Sequence, residues 1–81
     1  MALPVKTSTI LDEVFAERRN QDNRWGEQNH DPLYWLAILT EEFGEVGKAL
    51  AEGERYQYRA ELIHVAAVAV AAVESYDRAN R

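Results

Sequence analysis

Three glutamates interrupt an otherwise largely apolar stretch at residues 36–49, which reads LAILTEEFGEVGKA. If this stretch is a helix with about 100° between successive residues, Glu42 and Glu45 share one face with Trp35 and Val46. Burying an ionised carboxylate without a partner costs on the order of several kcal/mol. Two carboxylates on a core-facing stripe therefore require a positive partner, and a bound cation is the simplest one.

A second apolar run, AELIHVAAVAVAAV at residues 60–73, is interrupted by Glu61 and His64. These two residues are three apart and so fall on one helical face. Glu45 and Glu61 each lie eight residues from Gly53, so a helical hairpin that turns at Gly53 would bring them together. Hard oxygen ligands in this number suit Mg²⁺ or Mn²⁺, usually held jointly by carboxylates and the phosphates of a substrate.

Glu41 belongs to the same acidic group but points about 100° away from Glu42, toward the flank of the helix. We therefore expect the main ligands to be Glu42, Glu45, Glu61 and His64. Glu41 is the weaker ligand candidate and is either an outer-shell acid or a solvated one. The candidate catalytic residues are Glu41, Glu42, Glu45 and Glu61.

The chain length and composition limit the classes of function. A single domain of 81 residues buries only about 60% of its unfolded surface, so self-association is expected. The net charge of −5, with no basic cluster longer than Arg18-Arg19, argues against nucleic acid as a partner. The absence of cysteine excludes disulfides and thiolate sites and is compatible with the cytoplasm. We expect no membrane partner, since residues 62–73 are too few to span a bilayer.

The expected organisation is an N-terminal arm at residues 1–8 and one all-α domain at residues 9–81. Asp31-Pro32 is a strong helix start, and Gly53 is placed to end the same helix. The polar segment Asn20–Asp31 reads as a loop. Helices are predicted over residues 9–22, 32–52 and 56–77. The last two would form an antiparallel hairpin, which we expect to dimerise into a four-helix bundle.

Aromatic and amide side chains precede the acids along the chain. Trp35 lies seven residues before Glu42, which is about 10 Å of helix and comparable to the distance from a nucleobase to its outer phosphates. We therefore consider Trp25, Asn29, His30 and Trp35 as substrate-binding residues. The alternative interpretation is that Trp25 covers the end of the bundle and Trp35 is an ordinary core residue.

The acidic segments resemble a known family. Glu41-Glu42-Phe43-Gly44-Glu45 and Glu61-Leu62-Ile63-His64, with fifteen residues between them, look like the EExxE and ExxD motif pair of the MazG-like all-α nucleoside triphosphate pyrophosphohydrolases. The similarity extends from about residue 25 to residue 73. It implies Mg²⁺-dependent hydrolysis of (d)NTPs to the monophosphate and pyrophosphate, a house-cleaning role, and assembly into dimers or tetramers.

By matched position, the resemblance implies metal binding at Glu42, Glu45 and Glu61. His64 stands where the family usually has aspartate. Because imidazole is a softer, neutral ligand, this difference bears directly on metal preference and activity.

Two other classes of function fit the same residues. A Glu from one helix with Glu-x-x-His from another is also the ligand pattern of di-iron carboxylate bundles. A non-catalytic interaction module, whose acids pair with arginines of a partner, is the third possibility.

Overall fold

The computed structural model describes residues 4–81, which form three α-helices: α1 at Thr7–Trp25, α2 at Pro32–Ala51 and α3 at Arg55–Ala79. α3 packs against both other helices. The all-α class and the α2–α3 hairpin are therefore confirmed. Residues 1–3 of the predicted arm lie outside the described residues. Within residues 4–81, none of the helices combines the length and apolar character that crossing a membrane requires.

The ends of α2 follow from local chemistry that the sequence shows. The side-chain oxygen of Asp31 accepts a hydrogen bond from the Tyr34 amide at 2.9 Å, and Pro32 occupies the first helical position. After the helix, Gly53 adopts a φ of 70°, a left-handed conformation that costs glycine little. The predicted bounds of α2 and α3 are thus correct to within two residues.

α1 extends beyond its predicted bounds of residues 9–22, by two residues at its start and by three at its end. The helix starts at Thr7 behind Lys6, which makes no side-chain cap, and it continues to Trp25 through the first part of the predicted loop. Its last turns are stabilised by side-chain pairs three and four residues apart, since Arg18 donates to Gln21 at 3.0 Å and to Asp22 at 2.8 Å. The helix ends at Gly26, whose φ is 73°.

The core of the hairpin is small and lies toward the N-terminal end of α2. Trp35 packs against Val68 and Ala71 of α3, and partly buried residues close around them, namely Ile38, Leu39 and Ala72. Small side chains on α3 let the two helices approach closely, and Ala67 is completely buried. The contact fixes the register of the hairpin, with Trp35 level with residues 68–71.

Charged contacts join α1 to a side of α3 other than the one that packs against α2. The guanidinium of Arg59 donates to both carboxylate oxygens of Glu13, at 2.9 and 2.6 Å, and Arg18 donates to Glu74 at 2.8 Å. The order of these contacts shows that α1 and α3 run in the same direction, with α2 antiparallel to both. α1 thus packs on α3 alone, at one side of the α2–α3 hairpin, and among residues 4–81 its backbone does not approach α2.

The segment from residue 26 to residue 31 is fixed by the C-terminal part of α3. The His30 amide donates to the Ser75 hydroxyl at 3.2 Å, while Arg78 donates to the Asn29 side chain at 2.8 Å and to the Gln28 carbonyl at 3.1 Å. These bonds satisfy backbone groups that a loop would otherwise leave to water. Hydrogen bonds to α3 therefore fix the position of this loop.

Candidate metal centre and adjoining cavity

Glu42, Glu61 and His64 converge between α2 and α3. Each offers one ligand atom, and these three atoms lie within 4.8 Å of one another. α2 supplies Glu42, and α3 supplies the other two from positions one turn apart. Glu61 is only 7% exposed, and the Gln57 amide donates to its Oε1 atom, which orients the carboxylate. The hairpin thus brings together three of the four residues predicted as metal ligands.

The electrostatics of this group favour a cation. Burial raises the pKa of Glu42, and the neighbouring Glu61 carboxylate raises this pKa further. Among residues 4–81, no lysine or arginine forms an ion pair with either carboxylate. The imidazole of His64 lies between two acids, with Nδ1 3.4 Å from Glu61 Oε2 and Nε2 3.7 Å from Glu17 Oε2. Two close carboxylates without a fixed positive charge form a site that a divalent ion would stabilise.

The donor set fits a divalent cation that binds oxygen and tolerates nitrogen. The carboxylates of Glu42 and Glu61 suit Mg²⁺, which keeps its remaining positions for water and for substrate phosphate. An imidazole from His64 suits Mn²⁺ and later transition metals better than Mg²⁺. The residues present therefore fit the expected Mg²⁺ through the two carboxylates and fit Mn²⁺ through all three.

The structure does not bring Glu45 or Glu41 into this group. Both are exposed, and they act on Glu42 only through their charges, each of which contributes to its raised pKa. α3 contacts a narrow face of α2 that includes Trp35, Glu42 and Ala49, which are spaced by seven residues. Glu45 lies about 60° away from Glu42 around the helix and so falls outside the contact.

A cavity of about 340 Å³ adjoins the carboxylates on the side that α1 covers. Glu42 and His64 lie at one end, and Trp35 with Val68 forms part of an apolar wall. Its other lining groups are mostly polar or charged and come from α1, the 26–31 segment and the end of α3; they include Gln21, Arg24, Trp25, Gln28 and Arg78. The cavity thus joins an acidic end, next to the candidate ligands, to an aromatic, hydrogen-bonding end.

The two tryptophans differ within this cavity. Trp35 is 5% exposed, and its indole nitrogen is buried without a hydrogen-bond partner among residues 4–81. Trp25 is exposed, and the Arg24 guanidinium carbon lies 4.9 Å from its ring centre. Trp35 is therefore a core residue that also lines the cavity, while Trp25 has a free aromatic face.

The structure does not bring Asn29 and His30 into the same cavity. The Asn29 side-chain oxygen accepts a hydrogen bond from Arg78. The His30 ring lies tilted against Tyr34, with ring centres 4.3 Å apart, and edge-on to Trp35 at 5.1 Å. Both residues fix the loop on the far side of the Trp35 ring. Of the four predicted substrate-binding residues, only Trp25 and Trp35 line the cavity.

Sequence reasoning missed Glu17, Gln21 and the arginines that surround the cavity. Glu17 and Gln21 continue the inward-facing series of Ile10 and Val14 at helical spacing, so the signal was present in the sequence. What the sequence does not show is that this face of α1 lies over His64.

Comparison with models of known protein families, with curated proteins and with solved structures finds no match.

Proposed function

We propose that the protein is a Mg²⁺-dependent nucleoside triphosphate pyrophosphohydrolase that releases pyrophosphate from (d)NTPs, with Mn²⁺ as an alternative ion. The observation that carries the proposal is the convergence of Glu42, Glu61 and His64 at the end of a cavity lined by Trp25 and Trp35. The motif resemblance of residues 41–45 and 61–64 supports the same reaction. We further propose a house-cleaning enzyme that acts in the cytoplasm and assembles as a dimer with a MazG-like four-helix bundle.

In this proposal each wall of the cavity has a distinct role. Glu42, Glu61 and His64 hold the divalent ion, which would neutralise phosphate oxygens and orient an attacking water. Because burial and the Glu61 carboxylate raise the pKa of Glu42, this carboxyl holds a proton more readily than an exposed one, and ion binding would release that proton. The free face of Trp25 is available to stack on the nucleobase of the substrate. The side-chain amides of Gln21 and Gln28 can hydrogen-bond to the edge of that base. Glu41 and Glu45 are proposed to add negative potential at the mouth of the site.

One observation favours a di-iron carboxylate protein as the second candidate. The three residues that converge are one glutamate from α2 and a Glu-x-x-His pair from α3, which is half of the di-iron ligand set. The same residues, without any ion or turnover, would serve the non-catalytic interaction module.

The deciding experiment screens a panel of NTPs and dNTPs for pyrophosphate release with Mg²⁺ or Mn²⁺, before and after chelation. Glu61→Gln should abolish metal-dependent turnover, whereas Glu52→Gln, at an exposed position after α2, should leave it unchanged. Metal analysis of the purified protein runs in parallel. Firmly bound iron with no nucleotide turnover would support the di-iron candidate, and neither metal nor turnover would support the interaction module.

A further inference from the structure

The imidazole of His64 lies between two carboxylates that come from different helices. Its Nδ1 atom is 3.4 Å from Oε2 of Glu61, and its Nε2 atom is 3.7 Å from Oε2 of Glu17. Glu61 belongs to the group of candidate metal ligands, whereas Glu17 is on α1 and outside that group. The two ring nitrogens therefore face carboxylates that differ in their relation to the metal centre.

The contact between His64 and Glu61 has the spacing of two ligands of one ion. The Gln57 amide donates to Oε1 of Glu61, so Oε2 is the oxygen that faces Nδ1 of His64. At bond lengths of about 2.0–2.1 Å, two neighbouring ligand atoms of one divalent ion lie about 2.9–3.4 Å apart. The separation of 3.4 Å between Nδ1 and Oε2 falls at the upper end of this range. Nδ1 is therefore placed to bind the same ion as Glu61.

Glu17 is a partly buried acid that faces the other nitrogen of His64. Its side chain is 22% exposed, and among residues 4–81 no lysine or arginine forms an ion pair with it. Two side-chain amides of α1 donate to the carboxylate, Asn20 at 3.4 Å and Gln21 at 3.5 Å, but both contacts are long. The carboxylate therefore keeps the capacity to accept from the Nε2–H group of His64. A change of about 0.5 Å would shorten that separation to a hydrogen bond.

We propose that Glu17 is a positioning residue of the candidate metal centre. Its carboxylate accepts a hydrogen bond from Nε2–H of His64 and so directs the lone pair of Nδ1 toward an ion held by Glu42 and Glu61. In neutral imidazole one nitrogen carries the proton and the other is free to bind a metal. A carboxylate on the protonated nitrogen fixes this choice and makes the metal-binding nitrogen more basic. This inference rests on the metal binding in the proposed function and not on the reaction.

Ions that accept imidazole should depend most on Glu17. Mn²⁺ binds imidazole more readily than Mg²⁺ does, since Mg²⁺ prefers the carboxylate oxygens of Glu42 and Glu61. Calorimetric titration of the wild type and of Glu17→Gln measures both ions. We expect the substitution to raise the Mn²⁺ dissociation constant by about 10-fold or more, which is the usual cost of losing such a carboxylate. The Mg²⁺ dissociation constant should change less.

A double-mutant cycle with His64→Ala separates positioning from a loss of charge and from a structural effect. If Glu17 acts through His64, Glu17→Gln should change the Mn²⁺ dissociation constant less than about 3-fold once His64 is replaced. Equal losses in both backgrounds, or unchanged Mn²⁺ binding by Glu17→Gln, would overturn this inference and leave the proposed function standing. A wild type that binds neither ion would overturn both.

Nuclear magnetic resonance of the wild type gives a second measurement if Glu17→Gln does not fold. The chain contains two histidines, and His30 packs against Tyr34 outside the cavity, so it serves as an internal reference. With isotope-labelled histidine and diamagnetic Zn²⁺, we expect His64 to bind the ion through Nδ1 and to carry a proton on Nε2, while His30 stays unchanged. Zn²⁺ bound at Nε2 of His64 would place the ion on the Glu17 side of the ring and overturn the proposal.

Discussion

Removing the Glu42 carboxylate should abolish most of the stability that the fold gains from a bound divalent metal ion. Glu42→Gln takes away one of the three ligand atoms that lie within 4.8 Å of one another, together with the charge that faces Glu61. Without metal, the variant should be at least as stable as the wild type, because the repulsion between the two carboxylates is relieved. When metal is added, the variant should gain little stability, because its remaining ligands are one carboxylate and one imidazole.

The size of the effect follows from linkage between binding and folding. At a metal concentration of 100 times the dissociation constant, the wild type gains about 2.7 kcal/mol, which is about 11–22 °C in Tm for a domain of this length. If the loss of one ligand weakens binding about 100-fold, the gain at the same concentration falls to about 0.4 kcal/mol. The expected rise in Tm for Glu42→Gln is then about 2–3 °C.

The assay is thermal unfolding followed by circular dichroism, at fixed protein concentration, with and without Mn²⁺ and Mg²⁺. Glu45→Gln is the matched control, since Glu45 lies one turn along the same helix but is exposed and outside the ligand group. We expect this control to keep most of the metal-dependent rise, because it removes a nearby charge but no ligand atom. If Glu45→Gln loses the rise as Glu42→Gln does, or if both keep it, the ligand set of Glu42, Glu61 and His64 is wrong.

Three further predictions concern pH, the core and the glycines. Since the pKa of Glu42 is raised on folding, the stability that Glu42→Gln gains over the metal-free wild type should be largest above the folded-state pKa. The gain should disappear as the pH falls below the unfolded value of about 4.3, and a difference that grew toward acid pH in urea titrations would contradict this sign. Trp35→Phe should cost less than about 1.5 kcal/mol because the indole nitrogen has no partner to lose, whereas Trp35→Ala should cost about 3–5 kcal/mol in the same titrations. Gly53→Ala should destabilise the chain by about 1–2 kcal/mol, because the φ of Gly53 is 70°. Gly44→Ala should stabilise the chain by up to about 1 kcal/mol, because Gly44 lies within α2 and a Cβ atom there meets no other group of the described chain within 4 Å. Equal effects of the two substitutions in chemical denaturation would contradict this reasoning.

The sequence predicted the hairpin well because its boundaries depend on local chemistry. Asp31 and Pro32 start α2, and Gly53 ends it, through interactions within a few residues. Periodicity also placed Glu42 and Glu61 on core-facing stripes, and these features require no knowledge of distant contacts. The position of the turn predicted that Glu45 would meet Glu61, whereas in the structure Glu42 does so.

The remaining features depend on how the helices pack. On a helical wheel Glu42 and Glu45 are equally plausible as buried residues. Because α3 contacts only a narrow face of α2, the angle of about 60° between them leaves Glu42 inside the contact and Glu45 outside it. The position of α1 depends on a few ion pairs, such as Arg59 with Glu13, which no local pattern shows. For this reason Glu17 and the cavity could not be located from the sequence.

The attachment of the 26–31 segment to α3 has a consequence for the order of events during synthesis. The loop residues Gln28 and His30 are held by Arg78 and Ser75, which are 50 and 45 residues further along the chain. At about 5–20 residues per second, a ribosome takes about 2–10 s to add the intervening residues. During that interval α1 and α2 exist without the contacts that fix their connection. The cavity wall can therefore assemble only after the last turns of α3 have been made.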